Sequence, residues 1–306
     1  MKHKWIFPSI LILLLAIALW RLDMAELWRS VRQIPLWLLA VLALMQVLTQ
    51  LLINLQWYAI SNHAGVRVKF WQMVYVNSCG AVVDAITHGV KVGGEVARVV
   101  RLKKVTACSA EQAVTVVAIQ KMFSFTVFLG LCLLATGFII TEASHIWMVL
   151  VGIIALVALV VTVLLVLRQK LRRFFRILRE QLRALKQNRK LFFGLCLLSL
   201  FIWILYPLKM YLLAVEVSNI SVIYVTAATF TAYAMALFPI FPGGLGGFEG
   251  ATTGLLLAFG LAIGDAVAIT VVFRFITFWF VMLLALGVII ARNSIRACKK
   301  REKDVK

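Results

Sequence analysis

Two short stretches place glycine pairs and a glutamate inside apolar surroundings: Gly93, Gly94 and Glu95 in VGGEVAR, and Gly246, Gly247 and Glu249 in LGGFEGA. Each glutamate is followed at nearly the same interval by a basic residue within an apolar run, Lys121 after Glu95 and Arg274 after Glu249. Glycine lets backbone turn at positive φ and approach a ligand closely. A helix that starts at such a break aims unsatisfied N–H groups and the positive end of its dipole at whatever lies ahead, which suits an anion such as a phosphodiester. Glu95 and Glu249 would fall in the first turn of those helices. There they could offset the dipole, pair with Lys121 and Arg274 as buried ion pairs, or break and re-form such pairs between two states.

Further residues extend the pattern. Pro242, Gly243 and Gly244 complete the break in FPIFPGGLGGFEG. Lys121, Lys209 and Arg274 lie within apolar spans, where a cation costs about 2.5–3.5 kcal/mol on insertion scales and so faces protein or water. Together they predict a positive cavity for an anionic headgroup. Lys209 follows Pro207 in WILYPLKMY and could instead snorkel outward. Arg98 reads either as a site residue or as an interfacial anchor. Asp84 and His88, four apart, could form a metal or acid–base pair. With His3, His63 and His145 elsewhere no ligand set emerges, and a polar hairpin tip is the expectation. No catalytic residue, metal or cofactor is expected.

The elements that must position these residues are membrane helices. The chain has 306 residues, of which 63% are hydrophobic and 14% charged, outside the range of soluble domains. Its net charge of +20 sits at the ends of apolar runs, with ten basic residues between Arg168 and Lys190 and another group after Arg292. That distribution follows the positive-inside rule and leaves no soluble module for nucleic acid. The five cysteines have no motif spacing and read as reduced packing residues. The first span looks like an uncleaved signal sequence, since no small-x-small site follows it.

Apolar spans are expected at 5–20, 36–60, 107–140, 145–167, 191–216 and 264–291. The basic loops place both termini in the cytoplasm; only 21–35, with Arg21, Arg29 and Arg32, dissents. Two interrupted regions, 70–102 and 222–262, then start and end on one side. The legs of the first are too short for a ~30 Å core, which predicts a re-entrant hairpin from the cytoplasm. The second has legs nearer 20 residues; a hairpin from outside is preferred over two crossings, because irregular backbone at membrane depth must line protein or a wet cavity. The fold class is therefore an all-α polytopic membrane protein, six spans plus two re-entrant helical hairpins. Span, span, hairpin, span occurs twice in opposite orientation, residues 1–141 and 142–291, as an inverted-topology repeat. Residues 168–190 form a basic amphipathic connector helix with Leu171, Phe174, Phe175, Leu178, Leu182 and Leu185 on one face, and 292–306 a basic cytoplasmic tail.

At FPIFPGGLGGFEG and VKVGGEVARVVRLKK the chain resembles the lysylphosphatidylglycerol synthase transmembrane-domain family, also called flippase-like domain proteins. The shared features are a proline-rich approach to P-G-G-L-G-x-x-E and an upstream G-G-[DE]-x-x-R, here Gly93, Gly94, Glu95 and Arg98. Larger members carry a second membrane bundle and a soluble aminoacyl-transferase domain. Since nothing follows residue 306 here, lysyl transfer is not expected. The resemblance implies translocation of a phospholipid, an aminoacylated phospholipid or a polyprenyl-phosphate-linked lipid between leaflets of a bacterial-type inner membrane. Membrane lipids are the expected partners, and a homo-oligomer is left open. The competing classes are a transporter of a small anionic solute, an intramembrane enzyme acting on lipid phosphate, and a non-catalytic partner subunit.

Overall fold

The computed structural model describes residues 31–87, 92–140, 187–237 and 246–304, together with isolated positions between 176 and 185. Nine helices are described: α1 (Leu36–His63), α2 (Phe70–Ile86), α3 (Val92–Thr106), α4 (Ala110–Ile140), α5 (Arg189–Val217), α6 (Val222–Met235), α7 (Gly247–Ala258), α8 (Ile263–Arg274) and α9 (Phe280–Asp304). A single π-helical turn, Phe275–Trp279, joins the last two. Four helical stretches among the described residues are long and apolar enough to cross a membrane: α1, α4, α5 and α8 continued into α9. They fall on four of the expected spans. The other two, 5–20 and 145–167, lie outside the described residues.

Helix ends follow from local chemistry. Pro35 opens α1 in extended backbone, and Gly65 at φ 78° turns the chain away after it. The side chain of Gln72 accepts from the Lys69 N–H at 2.9 Å to start α2. Ser109 and Gln112 form a reciprocal capping box at α4, each backbone N–H donating to the other side chain. Asn188 accepts from Leu191 N–H at α5, and Ser221 from Ile223 N–H at α6. Hydroxyls inside the helices, including Thr49, Thr115, Thr229, Thr252 and Thr270, donate back to the carbonyl four residues earlier, so few polar groups are left bare.

The interrupted regions are pairs of short helices. α2 and α3 have 17 and 15 residues, about 25 and 23 Å at 1.5 Å per residue. α6 and α7 have 14 and 12 residues, about 21 and 18 Å, shorter than the near-20-residue legs expected from the sequence. α6 ends ahead of Pro239 and Pro242, and Gly260 at φ 92° terminates α7, so the apolar run is longer than the helices it contains.

Packing has a regular plan. α2 lies on α3 and α6 on α7, while α3 leads onto α4 and α7 onto α8. α1 touches α2 and α4, just as α5 touches α6 and α8. Each pair of short helices also reaches across to the other half: α2 packs on α9, and α6 on α4. α1 and α5 cross one another at the centre. Exchanging the two halves maps every one of these contacts onto another.

The outward face of α1 carries Leu44, Leu48, Leu51 and Leu55, all exposed, whereas Gln46, Thr49, Asn54 and Gln56 are buried. An apolar exterior over a polar interior is the membrane pattern. One buried apolar cluster gathers α1, α5, α6, α7 and α8, and a second gathers α1 to α4 with α5. Leu182 and Leu185 of the connector join the second cluster, while Arg176, Arg179 and Arg183 are exposed, as its amphipathic pattern requires. The basic segment after Arg292 continues α9 as helix, and the Arg292 guanidinium sits 3.9 Å from the centre of the Tyr75 ring of α2.

Candidate functional site

The first site forms where α2, α3 and α4 meet. Arg98 Nη1 lies 3.0 Å from Asp84 Oδ2 and 3.0 Å from Glu95 Oε1. Lys121 Nζ reaches the same Glu95 oxygen at 2.5 Å. Asp84 also accepts from the Gly94 N–H at 3.0 Å, so a carboxylate from α2 caps the start of α3. The glycines here serve closeness rather than a turn. Gly93 and Gly94 are helical, not at positive φ as the sequence suggested. A Cβ on Gly94 would run into the Asp84 carboxylate, one on Gly93 into Thr87, and one on Gly80 into the Arg98 side chain. Glu95 Oε2 and Arg98 Nε are buried without a hydrogen-bond partner.

The second site forms where α7 meets α8. Arg274 Nε donates to Glu249 Oε1 at 2.8 Å, and the other oxygen of Glu249 accepts from Gly246 N–H at 2.6 Å. Gly246 is at φ 89°, where a side chain would be strained, so positive φ is used here and not at the first site. The Arg274 guanidinium sits 4.9 Å from the Phe248 ring centre and 4.5 Å from that of Phe278. Phe248 in turn stacks on Phe273, their planes 4° apart. These aromatic faces shield and hold the cation. The π-helical turn begins directly after Arg274; such turns are frequent at functional sites.

Between the two lies the α1–α5 crossing. Gln56 Nε2 donates to Ser199 Oγ at 2.5 Å, and Gln120 Nε2 donates to Gln56 Oε1 at 3.1 Å. Asn77 Nδ2 donates to Asn54 Oδ1 at 2.9 Å. Lys209 Nζ donates to Gln46 Oε1 and, at 3.2 Å, to Thr49 Oγ1, with the Tyr206 ring centre 4.4 Å away. The two α1–α5 bridges are equivalent under exchange of the halves. Counted from the helix starts, Gln56 of α1 stands where Lys209 stands in α5, and Gln46 where Ser199 stands.

The residues singled out in the sequence thus divide. Glu95 with Lys121 and Arg98, and Glu249 with Arg274, are brought together. Lys209 does not snorkel: it is 1% exposed, because Gln46 and Thr49 offer acceptors on the inward side. Gly247 is the first residue of α7. Pro242, Gly243, Gly244 and His88 lie outside the described residues. Two sets were missed. Asp84, read as part of a hairpin tip, is the counter-charge of Arg98. The polar row Gln46, Thr49, Asn54 and Gln56 was passed over, although amides and hydroxyls recurring within one apolar span are themselves a sign of an inward face. Among the described residues no group of three His, Cys, Asp or Glu side chains could hold a metal ion.

A multi-pass α-helical membrane protein whose spans hold two short helix pairs, each with a glutamate in the first turn of its second helix and a basic partner in the next span, is what fold and site define. Residues 5–285 match the transmembrane region of lysylphosphatidylglycerol synthase, and the chain belongs to that flippase-like family. The match is to the membrane region and not to an aminoacyl-transfer domain. The chain is also similar, at 22% identity over 95% of its length and 97% of the relative's, to a UPF0104 membrane protein of Pyrococcus horikoshii.

Proposed function

We propose that the protein translocates a lipid with an anionic headgroup between membrane leaflets, the headgroup crossing between the two helix pairs while its tails stay in lipid. The observation that carries this reading is the matched ion pair, Glu95–Lys121 and Glu249–Arg274. Lys121 and Arg274 stand at the same position from the starts of α4 and α8. A charge pair placed alike in two halves of opposite orientation is a switch element that works once from each side.

In this reading α2–α3 is a re-entrant hairpin from the cytoplasm and α6–α7 one from outside, since none of the four helices reaches ~30 Å. Residues 1–141 and 142–291 are the inverted repeats, and both termini are cytoplasmic. The exchange-symmetric packing supports this, and so does Tyr75, which holds Arg101 of α3 and Arg292 near the basic tail around one ring. The helix starts are occupied by the protein's own carboxylates, Asp84 on Gly94 and Glu249 on Gly246. A headgroup phosphate, with the same charge, exchanges with them as each pair opens. The membrane is a bacterial-type inner membrane; the sequence break at Pro242, Gly243, Gly244, Gly246 and Gly247 lets headgroup and backbone approach, while Gly93 and Gly94 let α3 close on Thr87 and Asp84.

The test is leaflet exchange of a fluorescent phosphodiester lipid in vesicles reconstituted with the pure protein. Glu249→Gln and Arg274→Met should each slow exchange by about tenfold or more, a change of ~1.4 kcal/mol. Wild-type protein that moves no lipid would overturn the reading. Topology is checked separately: Asn219→Cys and Ala262→Cys should react with an impermeant maleimide from outside, and Lys69→Cys and Lys104→Cys only from the cytoplasm.

A further inference from the structure

The cations carried by the described helices at these sites are not equivalent. Lys121 is neutralised by Glu95, which also meets Arg98, itself paired with Asp84. Arg274 is neutralised by Glu249. Among the described residues Lys209 meets no carboxylate: its ammonium is held by an amide oxygen, a hydroxyl and the face of an aromatic ring. It is 1% exposed, and Gln46 and Thr49 beside it are 0% exposed.

A second, independent feature points the same way. Gln46 turns its Oε1 to the ammonium, so its Nε2 faces the Tyr206 hydroxyl; that nitrogen is buried and makes no well-formed hydrogen bond there. The equivalent pair across the bundle is neutral: Gln56 meets Ser199 and Gln120. The asymmetry between the halves is therefore a surplus positive charge and a poorly satisfied N–H donor at one place. Both are incomplete until an anionic oxygen arrives. Pro207, two residues before Lys209, leaves the Trp203 carbonyl without its helical donor, a local weak point in α5 beside the ammonium.

We propose that Lys209, with the amide of Gln46, is the charge-selecting element of the translocation path: it takes the phosphodiester or phosphate oxygen of the substrate, whereas Lys121 and Arg274 gate without selecting. This rests on the lipid-translocation reading above. The residues that touch the anion are Lys209 Nζ and Gln46 Nε2. A lysylated headgroup, whose two ammonium groups outweigh its phosphate, is disfavoured at this position.

The test compares exchange of phosphatidylglycerol, phosphatidylcholine and lysyl-phosphatidylglycerol in reconstituted vesicles, with uptake of inorganic phosphate as a separate arm. Wild-type protein should favour phosphatidylglycerol by about tenfold or more over both other lipids. Gln46→Glu puts a carboxylate on Lys209 while keeping shape and fold, and should bring the three lipids to within about twofold of one another. Lys209→Gln should do the same, and Lys209→Arg should keep the preference. Lys121→Gln and Arg274→Gln should lower rates while leaving the ratio unchanged. Equal exchange of the three lipids by wild type, or an unchanged ratio in Gln46→Glu, overturns the assignment. Lysyl-phosphatidylglycerol moving fastest in wild type also overturns it. Phosphate uptake that depends on Lys209, with no lipid movement, would keep Lys209 as the anion selector and remove the lipid reading instead.

Discussion

The first and second hairpin sites answer one problem, a helix that starts inside an apolar bundle, with different chemistry. At α3 the capping carboxylate comes from a neighbouring helix: Asp84 of α2 caps Gly94 and pairs with Arg98, and Glu95 is left to bridge Arg98 and Lys121. At α7 one carboxylate does both tasks, since Glu249 caps Gly246 and holds Arg274. The first site is a four-charge network in which Arg98 and Glu95 each meet two charged partners. The second is one pair enclosed by aromatic rings. Exposure is divided in the same sense: the Lys121 side chain is 49% exposed and that of Arg274 9%. A networked site tolerates loss of its rim charge, and an isolated enclosed pair does not.

The largest effect should come from the centre of the network. Arg98→Met strips two carboxylates of their shared partner and should lower stability by about 3 kcal/mol or prevent folding. Arg274→Met strips one carboxylate that keeps its backbone cap, and should cost roughly half as much. Thermal unfolding in detergent would read both; equal losses would erase the distinction between network and pair. Next comes close packing. Gly94→Ala drives a methyl into the Asp84 carboxylate and should cost about 1–3 kcal/mol, while Gly250→Ala, which meets open space, should cost nothing on the same measurement. The smallest effect is expected at the rim. Lys121→Met leaves Glu95 with Arg98, and because Lys121 is half exposed the loss should stay below about 1 kcal/mol and shrink in high salt. A loss as large as that of Arg274→Met would mean that Lys121, not Arg98, secures Glu95.

The central crossing sharpens the comparison. In one half the α1–α5 bridge is Gln56 to Ser199, in the other Lys209 to Gln46. Sequence periodicity treats the two bridges alike, as polar residues in apolar helices, and only one of them carries charge.

Much of the architecture was legible in the sequence because membrane insertion is a local constraint: every ~20-residue stretch is judged by its own hydropathy, whatever it later packs against. That fixed the positions of α1, α4, α5 and the α8–α9 span, the shortness of α2 and α3, and the spacing that brings Glu95 to Lys121 and Glu249 to Arg274. What tertiary structure decided depends on residues far apart in the chain. Asp84 reaches Gly94 only because α2 folds back against α3, and Lys209 turns inward only because α1 presents Gln46 and Thr49 where α5 crosses it. The packing of α2 on α9 and of α6 on α4 is likewise a choice between partners of equal hydropathy. In an apolar surround, burial alone does not discriminate among helix faces; close packing and the need to satisfy each buried polar atom do.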